Sequence, residues 1–440
     1  MAVIPPPFST EALALSITRD AVTALAGPTW LERSRRAAWE RFESRPLPTS
    51  ALEEWRYSRI DDLDLDRYRP WTPDGGPAAL PPALRPLVDA LVPAVVVVVR
   101  NGAVVSVTPP IEGLHVEASG GEVVDIGSVS GEPDALTTLN AALCHPVVVT
   151  VAAGARPDGP VDVVHHSDAD GAAVFARTII RVGRSAEVSI VEMAWSGDID
   201  ALTVPVTEID VADGAHARYV HLQELGPRVW QTGLQASRVG RDATLASVAV
   251  ALGGDYARLR TDSALVGAGG TTELLAVYFG TGSRMVDFRT TQDHRAPKST
   301  SRLLYKGAVA NRSRAVYTGL IRVEKGARGT NAFQTNRNLV LHEGASAESV
   351  PNLEIEDNDV RCSHASAVGP ISEDQRFYLE SRGVPTDAAD RLIILGFLEE
   401  VLDQAGSAAI ASRVRAELAG MLDRAQHAEA DMAAGATVDA

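Results

Sequence analysis

The 440-residue chain has little cysteine, few aromatics, no basic surplus and no long apolar run, and each shortage excludes something. Two cysteines, Cys144 and Cys362, cannot supply a disulfide framework, which fits a reducing compartment, and a cytoplasmic location is expected. With 41 Lys+Arg against 57 Asp+Glu and a formal charge of −16, the chain lacks the cationic surplus that displaces counterions from phosphates, so no nucleic-acid partner is expected. The longest apolar run, residues 93–99, is far too short to span a bilayer, and the amino terminus lacks the basic and apolar segments of a secretion signal, so no membrane partner is expected either. P-loop, Gly-x-Ser-x-Gly, His-Glu-x-x-His and Cys-x-x-Cys patterns are all missing. Aromatics make up only 5%, which suits many thin strands better than a thick helical core.

What is present has an order. Residues 9–45 read as helices: Leu13, Leu15, Ile17, Val22 and Leu25 run to a break at Gly27-Pro28, then Trp30, Leu31, Ala38, Trp39 and Phe42 recur at helical spacing. Glu54-Trp55-Arg56-Tyr57 is a compact patch best read as an anchor of this cap onto the rest. The amino-terminal helical region is assigned to 1–70 and a Pro/Gly-rich linker to 71–93. From 94 the texture becomes strand and turn. Val95–Val99, Asn101-Gly102 and Ala103–Val107 form a hairpin signal.

A turn motif then echoes along the chain, as Val182-Gly-Arg-Ser-Ala-Glu, Val211-Ala-Asp-Gly-Ala-His, Val239-Gly-Arg-Asp-Ala-Thr and Val266-Gly-Ala-Gly-Gly-Thr, at intervals of 29, 28 and 27 residues. Later members at Val323 and Leu341 are 18 apart. A period in the twenties made of strands and turns predicts stacked coils, a right-handed parallel β-helix over 94–370, with a β-sandwich as the alternative. Gly267-Ala-Gly269-Gly270 reads as a turn and not as a dinucleotide fingerprint, and His165-His166 as part of a surface turn.

The helical period returns over 371–440. Ser372 with Gln375 has the capping-box form, and apolar residues run through Leu392, Phe397 and Leu402, then Ile410 to Leu422. Just before this change lies Cys362-Ser363-His364. In a strand, positions i and i+2 share a face, so Cys362 and His364 present sulfur and imidazole side by side. Two ligands do not close a metal site, so the pair needs a partner surface, or else Cys362 is simply a small buried hydrophobe.

Gln334-Thr-Asn336-Arg-Asn338, Pro351-Asn-Leu-Glu354-Ile355, Asp359-Val-Arg-Cys362-Ser-His364 and Gln375-Arg-Phe-Tyr378-Leu-Glu-Ser381-Arg-Gly383 together resemble the SufB/SufD family of iron–sulfur cluster assembly scaffolds, in its D-type branch. Glu54-Trp55-Arg56-Tyr57 and the Asn101-Gly102 hairpin are also similar to it. Ala365-Ser366 departs from the Gly-Ala common in D-type chains, and Asn336-Arg-Asn338 stands where the B-type subunit carries its sulfur-accepting cysteine. The resemblance implies a non-catalytic scaffold that pairs with SufB through the β-helix and docks the SufC ATPase through its carboxy-terminal helices. It also implies a transient Fe–S cluster shared with SufB, with His364 and Cys362 as ligands. Flavin binding is left undecided. Phe377, Leu392, Phe397 and Leu418 are the expected docking stripe for SufC, and deleting 372–440 is expected to abolish SufC binding while leaving a soluble pairing with SufB. The alternatives are a structural homodimer without cluster contact and a polysaccharide-active β-helix enzyme.

Overall fold

The computed structural model describes residues 17–72, 79–108, 111–118, 124–131 and 133–436, with side chains to 429. The expected helical positions Leu13 and Leu15 and part of the proline-rich stretch lie outside them. Helix α1 (Arg19–Ala24) and helix α2 (Thr29–Glu43) are separated at Gly27-Pro28, where proline fixes an extended residue before the first helical turn. Helix α3 (Arg85–Leu91) falls inside the stretch read as linker, and helix α4 (Ala135–Leu143) inside the stretch read as strands. Neither has a readable period. All nine residues of α4 are buried, so it shows no polar face, and only the Asp134 side chain accepting from Thr137 N at 2.7 Å marks its start. The chain ends in α5 (Glu373–Ser381), α6 (Thr386–Leu402) and α7 (Ala408–Ala436).

Between these caps the chain winds as a parallel β-solenoid. The coils contribute strands to two sheets, of twelve and ten strands among the described residues. From Val161 on each strand pairs in parallel with the strand one coil away, whereas Leu114–Ala118 pairs antiparallel with His145–Val151. The hairpin Val95–Arg100 and Ala103–Val107 starts one sheet antiparallel, its turn formed by Asn101 and Gly102 at φ 47° and 88°. The solenoid, not the sandwich, is the fold.

The echo in the sequence is a hydrogen-bonded ladder of turns. Ser185, Gly214, Asp242, Gly269 and Lys298 each adopt positive φ, one per coil along one edge. Each donates its N–H to a carbonyl in the next turn, as Ser185 to Asp213, Gly214 to Arg241, Asp242 to Ala268 and Gly269 to Pro297. The repeat is thus kept by a backbone requirement that glycine, aspartate, serine or lysine meets at different steric cost. The turns at Val323 and Leu341 are 18 apart because they stand at opposite ends of the strand Thr330–Val340, on opposite edges of the stack.

Apolar residues fill the lumen, among them Val163, Ile180, Ile190, Ile209 and Leu245. A second core lies outside it. There the outer face of the ten-stranded sheet, including Val191, Val220, Val250, Leu275 and Phe279, is covered by α3, α6 and α7 through Leu87, Leu398, Val401, Val414 and Leu418. The amino-terminal helices and α4 cover the other sheet through Trp39, Trp55, Leu139, Trp230 and Tyr256.

Asp162 is out of place in this packing. It shares the outer face of its strand with Val164, is fully buried, has Val96 and Val191 as register neighbours, and neither carboxyl oxygen has a partner. Burial pushes its pKa up to about 7. A carboxyl whose folded pKa is raised contributes its stability below the unfolded value and loses it as pH rises through the folded one. The loss here falls between about pH 4 and 8 and is at most ~4 kcal/mol. Asp162→Val is therefore expected to match or exceed the wild type, with the difference widening from pH 5 to pH 8 in urea unfolding. A pH-independent difference would contradict this assignment.

Candidate functional site

The solenoid is open at its carboxy-terminal end. The last strands of the two sheets, Ser346–Ile355 and Val360–Gly369, each pair on one side only. Among the described residues their other backbone edges have no strand to bond. Most residues of both are half-buried or exposed, and Leu353, Ile355 and Val368 expose 37%, 42% and 44%. An unpaired edge with apolar side chains is a template for another chain.

Cys362 and His364 lie on this last strand. Cys362 and Val360 pack toward Ile321, Val323 and Ala332, so the face they share looks into the lumen. His364, two residues on, shares that face but stands exposed at the open mouth, in register above Gln334 as Cys362 stands above Ala332. Burial pushes the Cys362 thiol up, so ligation there has to displace a proton. Among the described residues no group of three His, Cys, Asp or Glu side chains is placed to hold a metal. The pair is two ligands on an open edge.

Beneath it the lumen turns polar. Tyr278 Oη donates to Asn338 Oδ1 at 2.6 Å, Asn338 Nδ2 donates to Asn336 Oδ1 at 2.8 Å, and Asn336 Nδ2 donates to Tyr278 Oη at 3.1 Å. Asn336 and Asn338 belong to the Gln334–Asn338 stretch, and their place in a lumen network with Tyr278 is not legible from spacing.

Beside the open end, α5 and α6 bound a groove of about 730 Å³ lined by Leu339, Pro370, Tyr378, Leu379, Leu392 and Phe397. Arg376 clamps the two helices by pairing with Asp390 at 2.6 Å. Phe377, Tyr378 and Leu392 expose 72%, 58% and 55% of their surface. The expected docking stripe needs correcting at Leu418, while Phe397 is a lining residue of the groove. Leu418 is 2% exposed and belongs to the core under α7. Phe397 is half-buried, with the Lys306 ammonium 4.4 Å from its ring centroid. The helices also cover the sheet's apolar outer face, so deleting 372–440 would bare that face as well as remove the groove.

The remaining sequence candidates are structural. The Glu54–Tyr57 patch does anchor the cap: Arg258 Nη2 donates to Glu54 O at 2.6 Å and its guanidinium lies 3.8 Å from the Trp55 ring, while Arg289 donates to Arg56 O. Both arginines pair with Asp287, at 2.6 and 2.9 Å. Burial alone would raise the Asp287 carboxyl, but the two guanidiniums outweigh it and hold it below its usual range. Gly267–Gly270 is the expected turn. His165-His166 is not a surface turn. Both lie in the strand Val161–Ser167, with His165 bonded to the buried Glu192 at 2.7 Å. Burial opposes ionisation of Glu192, yet His165 and Thr178 hold its carboxylate at about 2.

Residues 164–397 match the family model described as the SufBD core domain of SUF-system FeS cluster assembly. That span takes in the coils from the strand Val161–Ser167 on, the open end and most of α6. An iron–sulfur cluster assembly SufBD family protein of Mycobacterium tuberculosis is 33% identical over 290 residues, covering 64% of this chain and 72% of that protein. The iron–sulfur cluster assembly protein SufD of Escherichia coli is 28% identical over 368 residues, covering 81% of this chain and 85% of its own. SufD of Bacillus subtilis is 29% identical over 275 residues, with 61% and 62% covered. Among the described residues no helix is long and apolar enough to cross a membrane.

Proposed function

The chain belongs to the SufBD family of iron–sulfur cluster assembly proteins, and on that premise we propose that it is the non-catalytic, SufD-type scaffold subunit of a SufBCD-type complex. The open terminal coil carries this reading. It puts a cysteine and a histidine on an unpaired strand edge, where a second solenoid adds strands and further ligands together. The cluster is cargo, held between the two chains and passed on.

In this reading the chain contributes position more than chemistry. His364 offers a neutral imidazole at the mouth, and Cys362 offers a sulfur from a more sheltered place on the same face. The unpaired backbone of Val360–Gly369 and Ser346–Ile355 fixes the partner's register, so that ligands from both sides converge. The groove between α5 and α6, lined by Tyr378 and Leu392 and with Phe377 exposed on the same helix α5, receives the SufC-type ATPase, whose hydrolysis moves the scaffold pair. A half-site that a partner completes explains why two ligands suffice here.

Affinity purification of the tagged full-length chain, co-expressed with the SufB and SufC chains of its own operon or genome, tests the assignment. Both partners are expected in near-stoichiometric amounts. Recovery of the chain as a self-associated dimer without either would favour the structural homodimer.

A further inference from the structure

Buried amides in native proteins nearly always find partners, because leaving one unpaired costs about 1–3 kcal/mol per group. Gln334 breaks that rule. It is 1% exposed, and neither its Oε1 nor its Nε2 has a partner, although Asn336 and Asn338 on the same face are tied into the network with Tyr278. The opposite sheet makes room for it. A Cβ at Gly319 would lie 2.1 Å from Gln334 Nε2 and 2.3 Å from Tyr317 Oη, so only glycine lets the glutamine amide lie across the lumen. Directly above Gln334 in register is His364, and one coil above Tyr317 is Ser349, whose buried hydroxyl is also without a partner.

We propose that Gln334 is the positioning residue for His364. Its amide oxygen accepts, directly or through one water shared with Ser349, from the ring nitrogen of His364 that faces the lumen. This fixes the tautomer and leaves the other nitrogen's lone pair turned toward the open edge. Histidine ligands generally depend on such a bond at the second nitrogen for orientation and basicity. The inference rests on reading His364 as a ligand of the assembling cluster.

The test uses the full-length chain labelled with ¹⁵N-histidine, the His364 signals being assigned by their loss in His364→Ala. One dominant His364 tautomer is expected in the wild type and a mixture in both Gln334→Leu and Gly319→Ala, the second variant displacing the amide without removing it. Gln334→Glu, which keeps an acceptor, is expected to restore the single tautomer. An unchanged tautomer balance in both Gln334→Leu and Gly319→Ala overturns the proposal. Cobalt(II) titration of the complex with the SufB-type partner gives the second readout, with binding at least about tenfold weaker in Gln334→Leu. If His364→Ala binds cobalt as the wild type does, the ligand reading fails, and the tautomer measurement still decides the role of Gln334.

Discussion

Replacing His364 with alanine is expected to leave the complex assembled and to reduce cluster formation at least about tenfold, on the scale by which loss of ligand support weakens metal sites. The side chain is exposed at the solenoid mouth, so its removal empties no core. Surface changes of that kind alter stability by about 0.5 kcal/mol or less. Backbone pairing of Val360–Gly369 with a partner strand does not need the imidazole. The expected variant thus elutes with SufB and SufC and melts like the wild type, yet yields little iron and sulfide after reconstitution. Cys362→Ser is expected to be milder, because that thiol is half-buried against Ile321 and Val323 and burial keeps it protonated. Normal cluster yield from an intact His364→Ala complex would leave His364 as an interface residue only.

The second large effect concerns α5 and α6. Phe377, Tyr378 and Leu392 are the most exposed large apolar side chains of α5 and α6, and central apolar anchors of an interface typically cost about 2 kcal/mol or more each when lost. Phe377→Asp with Leu392→Asp is expected to weaken SufC binding by a factor of about 10³, measured by calorimetry, while SufB binding and the unfolding midpoint stay as they are. The charges are placed where solvent already reaches, so the fold has no reason to respond. Truncation at 372 is not an equivalent test, since it strips Leu398, Val401 and Val414 from the outer sheet. Undiminished SufC binding by the double variant would place the docking surface elsewhere.

Much of this architecture is written in local chemistry. The coils are legible because each turn needs one residue at positive φ, and that need leaves Gly, Asp or Ser at near-regular intervals. The Asn101-Gly102 hairpin is legible for the same reason. The Cys362–His364 face follows from strand alternation alone. What is hidden is whatever depends on a neighbour far away in sequence. Helix α4 has no polar face because sheet, α2 and loop bury all of it, so no period reveals it. Leu418 looks like its neighbours Leu392 and Phe397 in an apolar stripe, and only the packing of α7 on the sheet shows that it is core. Similarly, His165-His166 sits before a polar Ser-Asp-Ala-Asp run that suggests a surface, whereas Glu192 from the next coil draws His165 inward. The polar lumen below His364 is invisible in sequence because its members come from four separate strands.

Anaerobic iron and sulfide analysis, made on the purified chain alone and on its complex with SufB and SufC after identical reconstitution, measures the half-site most directly. The chain alone is expected to retain essentially no iron or sulfide, and the complex to retain both in a His364-dependent amount. A full complement of iron and sulfide on the isolated monomer, or a complex that holds none, would contradict a cluster site completed across the open end of the solenoid.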